Sequence, residues 1–252
     1  MDKSNETIHE YTEKKMDPYW WIMAFLVLSV GFLLSIALIV VPPILYFAYR
    51  SEWLFWLFIL IPAGVWMGKK LYITIKKIIW NNNHLSTFTL HKETISTNEW
   101  NKYFQTEPEK RTVSLSSILS VVASFYIVRQ VSSLRSQGGT GKTKTEIAPI
   151  IYVLYKDDKE SNIITIPFPV KGQEMDAWLG YFQDINLPLK YTDKVLYRKD
   201  MEYLNQKVRL SFLESSDNLI DFSFNGSWQE QSPVLMNDWQ EEMQYKEASN
   251  SN

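Results

Sequence analysis

The segment Trp20–Val41 limits what this chain can fold into more than any other feature, because none of its 22 residues carries a charge. As a helix rising about 1.5 Å per residue, it covers the roughly 30 Å of hydrocarbon in a bilayer. Each Leu, Ile, Val or Phe favours insertion by about 0.3–0.6 kcal/mol. We therefore predict a transmembrane helix rather than a buried core helix, which rarely runs this long without a polar face. A cleaved signal peptide has a shorter apolar region.

A second apolar segment follows closely, so residues 19–80 are predicted to form a transmembrane hairpin. Pro42-Pro43 is expected to end the first helix, because proline lacks the amide hydrogen that a helix interior uses. The second span is expected at about residues 53–75, and Pro62 within it should bend the helix.

Basic residues near the span ends predict the orientation, since cytoplasmic loops carry an excess of Lys and Arg. Lys14 and Lys15 precede the first span, whereas the loop between the spans offers only Arg50. The basic residues that follow the core of the second span are Lys69, Lys70, Lys76 and Lys77. We therefore predict a multi-pass protein of the cell membrane with both termini in the cytoplasm and residues 1–18 as a cytoplasmic segment.

These four lysines are also a candidate contact surface for anionic lipid. They share one face if the second helix continues, because residues seven apart nearly superpose. A negatively charged leaflet attracts such residues by about 1 kcal/mol each. The alternative is that the lysines only fix the topology.

Small residues at helical spacing predict a close approach of helices within the membrane. Gly64 and Gly68 form one such step, and Gly31 with Ser35 forms another. The sequence leaves two interpretations open: packing inside the hairpin, or a homo-oligomer formed through the transmembrane helices.

The sequence contains no recognisable catalytic, metal-binding or cofactor-binding pattern. There are no cysteines, the three histidines are scattered, and the net charge of -2 does not point to nucleic acid. The segment GGTGKT at 138–143 resembles part of a phosphate-binding loop, but Ser136 stands where the first glycine belongs and the following residues are typical of a strand. We therefore expect a non-enzymatic protein without metal or cofactor, and a glycine-rich strand connection at 136–146.

Residues 84–190 change to the pattern of a small β domain. Short β-branched and aromatic runs are separated by turn-like clusters, as in antiparallel sheets. They are HLSTFTLH, ETIST, TVSLSSI, SVVASFYIVRQV, APIIYVLYK and NIITIPF. One amphipathic helix is predicted at Gln173–Ile185, with Pro188 just beyond its end. The expected fold class is therefore a transmembrane hairpin followed by a mainly-β α+β domain closed by a helix.

This order resembles the bacterial pleckstrin-homology-like domains that directly follow a transmembrane hairpin. The resemblance is carried by the segments STFTLHKETIST, TVSLSSILSVVASFYIV, IYVLYK, ITIPF and MDAWLGYF. It implies a small antiparallel barrel or sandwich with a capping helix over residues 84–190. It also implies contact with a protein or a lipid, without common catalytic residues, in settings such as envelope stress or self-immunity to membrane-active peptides.

The C-terminal quarter carries weaker patterns. Residues 191–225 are expected to add a helix and a hairpin, the hairpin from VRLSFLE and LIDFSF. Residues 226–252 are polar and acidic and are expected to form a partly disordered tail.

Two functions from different classes are compatible with these features. The first is a membrane-anchored module that presents its folded domain at the cytoplasmic surface for contact with a protein or lipid. The alternative is a small structural or assembly subunit of a larger membrane complex, with the transmembrane helices as its interface.

Overall fold

A computed structural model describes residues 6–100, 105–132, 143–157, 160–198 and 205–250. It divides the chain into two compact units. One unit is Lys14–Leu85, and the other combines Met1–Glu13 with Ser86–Asn252. The hairpin unit is therefore inserted into the sequence of the second unit, which is called the β unit below.

The hairpin unit consists of helix α1, Pro18–Tyr49, a 3₁₀ segment, Glu52–Ile59, and helix α2, Leu60–Asn83. Two helical stretches, Pro18–Tyr49 and Glu52–Asn83, are long and apolar enough to cross a membrane. Only 6% of the most apolar window of each is buried, unlike the core helix of a soluble protein.

Helix α1 is longer than predicted, because it continues through Pro42-Pro43 to Tyr49. Each proline removes one amide hydrogen, but the helix keeps its geometry on both sides of the pair and ends only at Tyr49. Both ends of α1 are capped. The Asp17 side chain accepts a hydrogen bond from the amide of Tyr19 at the start, and Arg50 ends the helix in a left-handed conformation.

Helix α2 also differs from the prediction. Pro62 lies in its first turn, directly after the 3₁₀ segment, where amide hydrogens have no partner within the α-helix. The helix continues past the predicted end of the span at residue 75, and Asn81, Asn82 and Asn83 form its last turn. His84, expected on a strand, caps α2 and stacks on Trp80 at 4.2 Å between ring centroids.

The first sheet of the β unit is antiparallel, with the order β1-β2-β3-β4. Its strands are β1 Thr7–Thr12, β2 Thr87–His91, β3 Thr94–Glu99 and β4 Glu109–Ser114. Strand β1 lies within the N-terminal segment 1–18. It precedes α1 in sequence but pairs with β2, which follows α2.

The second sheet has the order β7-β6-β5-β8-β9. Its strands are β5 Ile118–Ser132, β6 Thr143–Asp157, β7 Glu160–Pro167, β8 Leu189–Tyr191 and β9 Ile220–Asp221. All neighbours are antiparallel except β5 and β8. Helix α3, Gln173–Asp184, follows β7 as the amphipathic pattern predicted.

The second sheet is covered on both faces. One face packs with the first sheet and with α3 around residues such as Val121, Ile151 and Trp178. The opposite face buries residues such as Val122 and Tyr152 against the C-terminal part of the chain. Burial on both sides explains why these strands are nearly continuous apolar runs rather than alternating ones.

The C-terminal quarter differs most from its prediction. The segment VRLSFLE lies in helix α4, Gln206–Glu214, and only Ile220–Asp221 of the second predicted strand is extended. Asn205 caps α4 through its side chain, which accepts a hydrogen bond from the Lys207 amide. The predicted tail forms helix α5, Trp228–Asn250.

Candidate functional site

The base of the hairpin is closed by hydrogen bonds between its two flanks. The Glu13 amide donates to the Ser86 carbonyl at 3.0 Å, and the Ser86 amide donates to Oε2 of Glu13 at 3.1 Å. The Trp100 amide donates to Oγ of Ser86 at 3.1 Å. Glu13 and Ser86 are both buried. The chain that leaves the β unit and the chain that returns to it are therefore held side by side.

The four small residues singled out in the sequence all lie where α1 and α2 meet. Ser35 is buried, and its hydroxyl donates to the Gly64 carbonyl at 2.7 Å. A Cβ atom on Gly64 would lie 2.9 Å from the Ser35 carbonyl oxygen, and one on Gly68 would lie 2.7 Å from the Ser35 hydroxyl. A Cβ on Gly31 would lie 3.2 Å from the Leu71 side chain. The four small residues thus allow α1 and α2 of the same hairpin to pack closely.

The four lysines lie on the continuous helix α2 and are exposed. The Lys70 ammonium is 5.9 Å from the centroid of the Trp66 ring, a distance suited to a cation–π contact. The face of α2 that carries Ile75, Ile78 and Ile79 instead lines an apolar groove with α1. The lysines therefore point away from the helix–helix contact.

A charged cluster occupies the end of the β unit where β3 stops and β4 starts. Glu99 and Glu109 are direct partners across the two strands. Arg111 donates through Nε to Glu109 at 2.8 Å and through Nη1 to the Ile163 carbonyl at 3.3 Å. Arg111 thereby joins the first sheet to strand β7 of the second.

Glu99 is the unusual member of this cluster. Its Oε1 is buried without a hydrogen-bond partner. Burial raises the pKa of Glu99 to about 7; Arg111 and Arg209 oppose the rise, while Glu109 adds to it. Arg209 lies on α4, far from Glu99 along the chain, so no local pattern predicts that its charge acts on Glu99.

Arg209 also faces an aromatic group on the outer side of the second sheet. Its guanidinium lies 5.5 Å from the centroid of the Tyr197 ring, and its Nε is buried without a hydrogen-bond partner. The hydroxyl of Tyr152, a fully buried residue, also has no partner, and burial raises its pKa. The Arg209 Nε and the Tyr152 hydroxyl are thus buried polar groups without hydrogen-bond partners.

Replacing Glu99 by glutamine should stabilise the β unit at high pH. Because the folded-state pKa is raised, the native protein is penalised for ionising Glu99, and this penalty develops between pH 4.5 and about 7. We expect Glu99→Gln to raise the unfolding free energy by about 3 kcal/mol at pH 8 and to leave it nearly unchanged at pH 4. Urea unfolding at both pH values measures the difference, with the exposed Glu93→Gln as control. If Glu99→Gln changed the unfolding free energy equally at both pH values, the raised pKa of Glu99 would be contradicted.

The phosphate-loop-like segment 138–143 lies outside the described residues except for Thr143, which begins β6. A strand rather than a helix therefore follows it, as the sequence predicted. Asp157, the last residue of β6, pairs with Glu160 of β7, so the predicted strand runs APIIYVLYK and NIITIPF are neighbouring antiparallel strands. Within the described ranges, no group of three His, Asp or Glu side chains converges to hold a metal ion.

Comparison of the chain with protein-family models, with curated proteins and with solved structures finds no match.

Proposed function

We propose that this chain is a non-enzymatic, membrane-anchored module that presents its β unit at the cytoplasmic membrane surface for contact with a protein or a lipid. The observation that carries the proposal is the insertion of the apolar hairpin between two neighbouring strands, β1 and β2. Only residues 13–17 and 84–86 connect these strands to the helices. Such short connections hold a domain near the membrane, which raises its effective concentration there and makes weak contacts sufficient.

We further propose that the β unit is pleckstrin-homology-like. Its four-stranded antiparallel sheet, the three consecutive antiparallel strands β5–β7 and the following helix α3 support this assignment. The parts beyond α3 would then be an addition, in which α4 covers the outer face of the second sheet and α5 packs on the main core.

Photo-crosslinking in intact cells tests the proposed function. A photoreactive residue is placed at exposed positions of the β unit, such as Lys171 or Asp221, or at exposed positions of α1, such as Val27 or Phe47. We expect the β-unit positions to form discrete adducts with a protein or with lipid, because this unit makes the functional contact. Protein adducts from the α1 positions alone would contradict the proposal and favour the assembly-subunit alternative.

A further inference from the structure

The contacts between α1 and α2 show which residues share a level along the hairpin. Ser35 meets Gly64 and Gly68, and Gly31 meets Leu71. Lys69 and Lys70 lie between these contacts on α2, so their backbone is level with residues 31–34 of α1. This is near the middle of α1, which runs from Pro18 to Tyr49.

Helix α1 has no charged residue along its whole length of 32 residues, which is roughly 48 Å. The hydrocarbon core is about 30 Å thick, and the bilayer with its headgroups is about 40–45 Å thick. With an ordinary tilt of about 20°, α1 therefore crosses the whole bilayer. Aromatic residues suited to the two interfaces stand near its ends, Tyr19 and Trp20 at one and Tyr46 and Tyr49 at the other.

This placement puts the backbone of Lys69 and Lys70 near the bilayer centre. Extending the side chain along the helix moves the ammonium by roughly one turn, about 5.4 Å, which is too little to reach the headgroups. If the hydrocarbon core ended at the level of Lys69 instead, nearly the N-terminal half of α1 would lie outside it. Its exposed side chains include Trp20, Ile22, Phe25 and Val27.

The hairpin cannot neutralise these lysines with its own acids. Within Lys14–Leu85 the acidic residues are Asp17 and Glu52, which flank α1 at its two ends. A second copy of the hairpin has the same distribution, so a homo-oligomer also brings no carboxylate to the level of Lys69. Lysines inside a membrane are usually paired and functional.

We propose that Lys69 and Lys70 form an intramembrane binding site for a carboxylate on a transmembrane helix of another protein. The proposal rests on the membrane anchoring put forward above. It adds a second contact, in the membrane, to that of the β unit. The required partner is an apolar helix with an Asp or Glu near its midpoint, since only such a residue reaches the lysines at this depth.

Spin-label depth measurements test the placement and use the absence of cysteine from the chain. Single cysteines replace Leu33, level with the lysines, and Ile22 or Phe47 nearer the ends, with all lysines retained. In vesicles we expect the Leu33 label to lie deepest. Interfacial depth at Leu33 with greater depth at Phe47 overturns the binding site but leaves the anchor intact. Water exposure at all three positions overturns the anchor as well.

The partner chemistry is tested with a leucine-rich transmembrane peptide that carries one Asp at its midpoint. Its association with the full chain in vesicles is measured by energy transfer and compared with that of an all-leucine peptide. We expect the Asp peptide to bind about tenfold more tightly, and we expect Lys69→Leu/Lys70→Leu to abolish the difference. The control Lys76→Leu/Lys77→Leu removes the same amount of charge nearer the end of α2. It should leave the tighter binding of the Asp peptide unchanged. Equal binding of both peptides, or an equal loss in both variants, overturns the proposal.

Discussion

Replacing Trp228 by alanine is expected to lower the unfolding free energy of the β unit by about 3–5 kcal/mol, the usual effect of removing a buried tryptophan. Trp228 is the first residue of α5 and is 3% exposed. Its ring lies 5.5 Å from that of Phe125 and 6.0 Å from that of Tyr191. Its amide donates to Oδ1 of Asp176 at 2.8 Å. The alanine variant keeps this backbone bond but leaves a cavity between α5 and the second sheet.

Urea unfolding of the full chain in detergent, followed by pulse proteolysis, measures this loss. Tyr245→Ala in the same helix is the matched control, because Tyr245 is 76% exposed. Trp228→Phe should be much milder, since the indole nitrogen has no hydrogen-bond partner to lose. A Trp228→Ala variant as stable as the Tyr245→Ala control would show that α5 is not part of the core.

Replacing Gly64 by leucine is expected to destabilise the hairpin by about 3 kcal/mol, at the upper end of the usual effect of overpacking. Even the first carbon of the new side chain would lie 2.9 Å from the Ser35 carbonyl oxygen, which belongs to the backbone and cannot rotate away. The helices must separate, and the bond from the Ser35 hydroxyl to the Gly64 carbonyl is lost.

The loss is measured by titrating the full chain with SDS in mixed micelles and following helix content by circular dichroism. Ala63→Leu adds a similar side chain at the preceding residue, which is exposed, and should have little effect. Gly68→Ala should lie between the two, because it meets a side-chain hydroxyl that can rotate. Unfolding of Gly64→Leu and Ala63→Leu at the same SDS fraction would contradict the close packing.

The sequence correctly predicted those helices and strands that depend only on residues close together in the chain. The uncharged run Trp20–Val41 predicted α1, and the helical spacing of apolar residues in Gln173–Ile185 predicted α3 to within a residue. The turn between IYVLYK and NIITIPF predicted the β6–β7 hairpin. The prolines within α1 misled, because their effect on a helix depends on whether water can replace the lost hydrogen bonds.

The remaining elements depend on partners far away in the sequence. The segment Thr7–Thr12 is short, and its strand is completed by pairing with β2 on the other side of the hairpin. VRLSFLE alternates like a strand, yet it forms α4 because it packs on an existing sheet. In α5, Trp228, Leu235 and Trp239 form a narrow apolar stripe within a polar composition that suggested disorder.

The candidate sites also differ in how far local sequence could predict them. The lysines and small residues of the hairpin were visible as spacing along the sequence, but their level relative to α1 was not. Glu99 lies on β3 and Arg209 on α4, so only the folded β unit brings Arg209 near enough for its charge to oppose the raised pKa of Glu99. No local pattern in the sequence encodes this proximity.

Thiol labelling in intact cells tests the central claim most directly. The claim is that the hairpin crosses the membrane twice, so that β1 before it and β2 after it lie on the same side. Single cysteines replace Glu10 in β1, Lys92 after β2 and Glu52 between the helices, three exposed positions. With a membrane-impermeant maleimide, we expect Glu52→Cys to react from outside, and Glu10→Cys and Lys92→Cys to react only after permeabilisation. Reaction of Glu10→Cys and Lys92→Cys from opposite sides of the membrane would contradict the account.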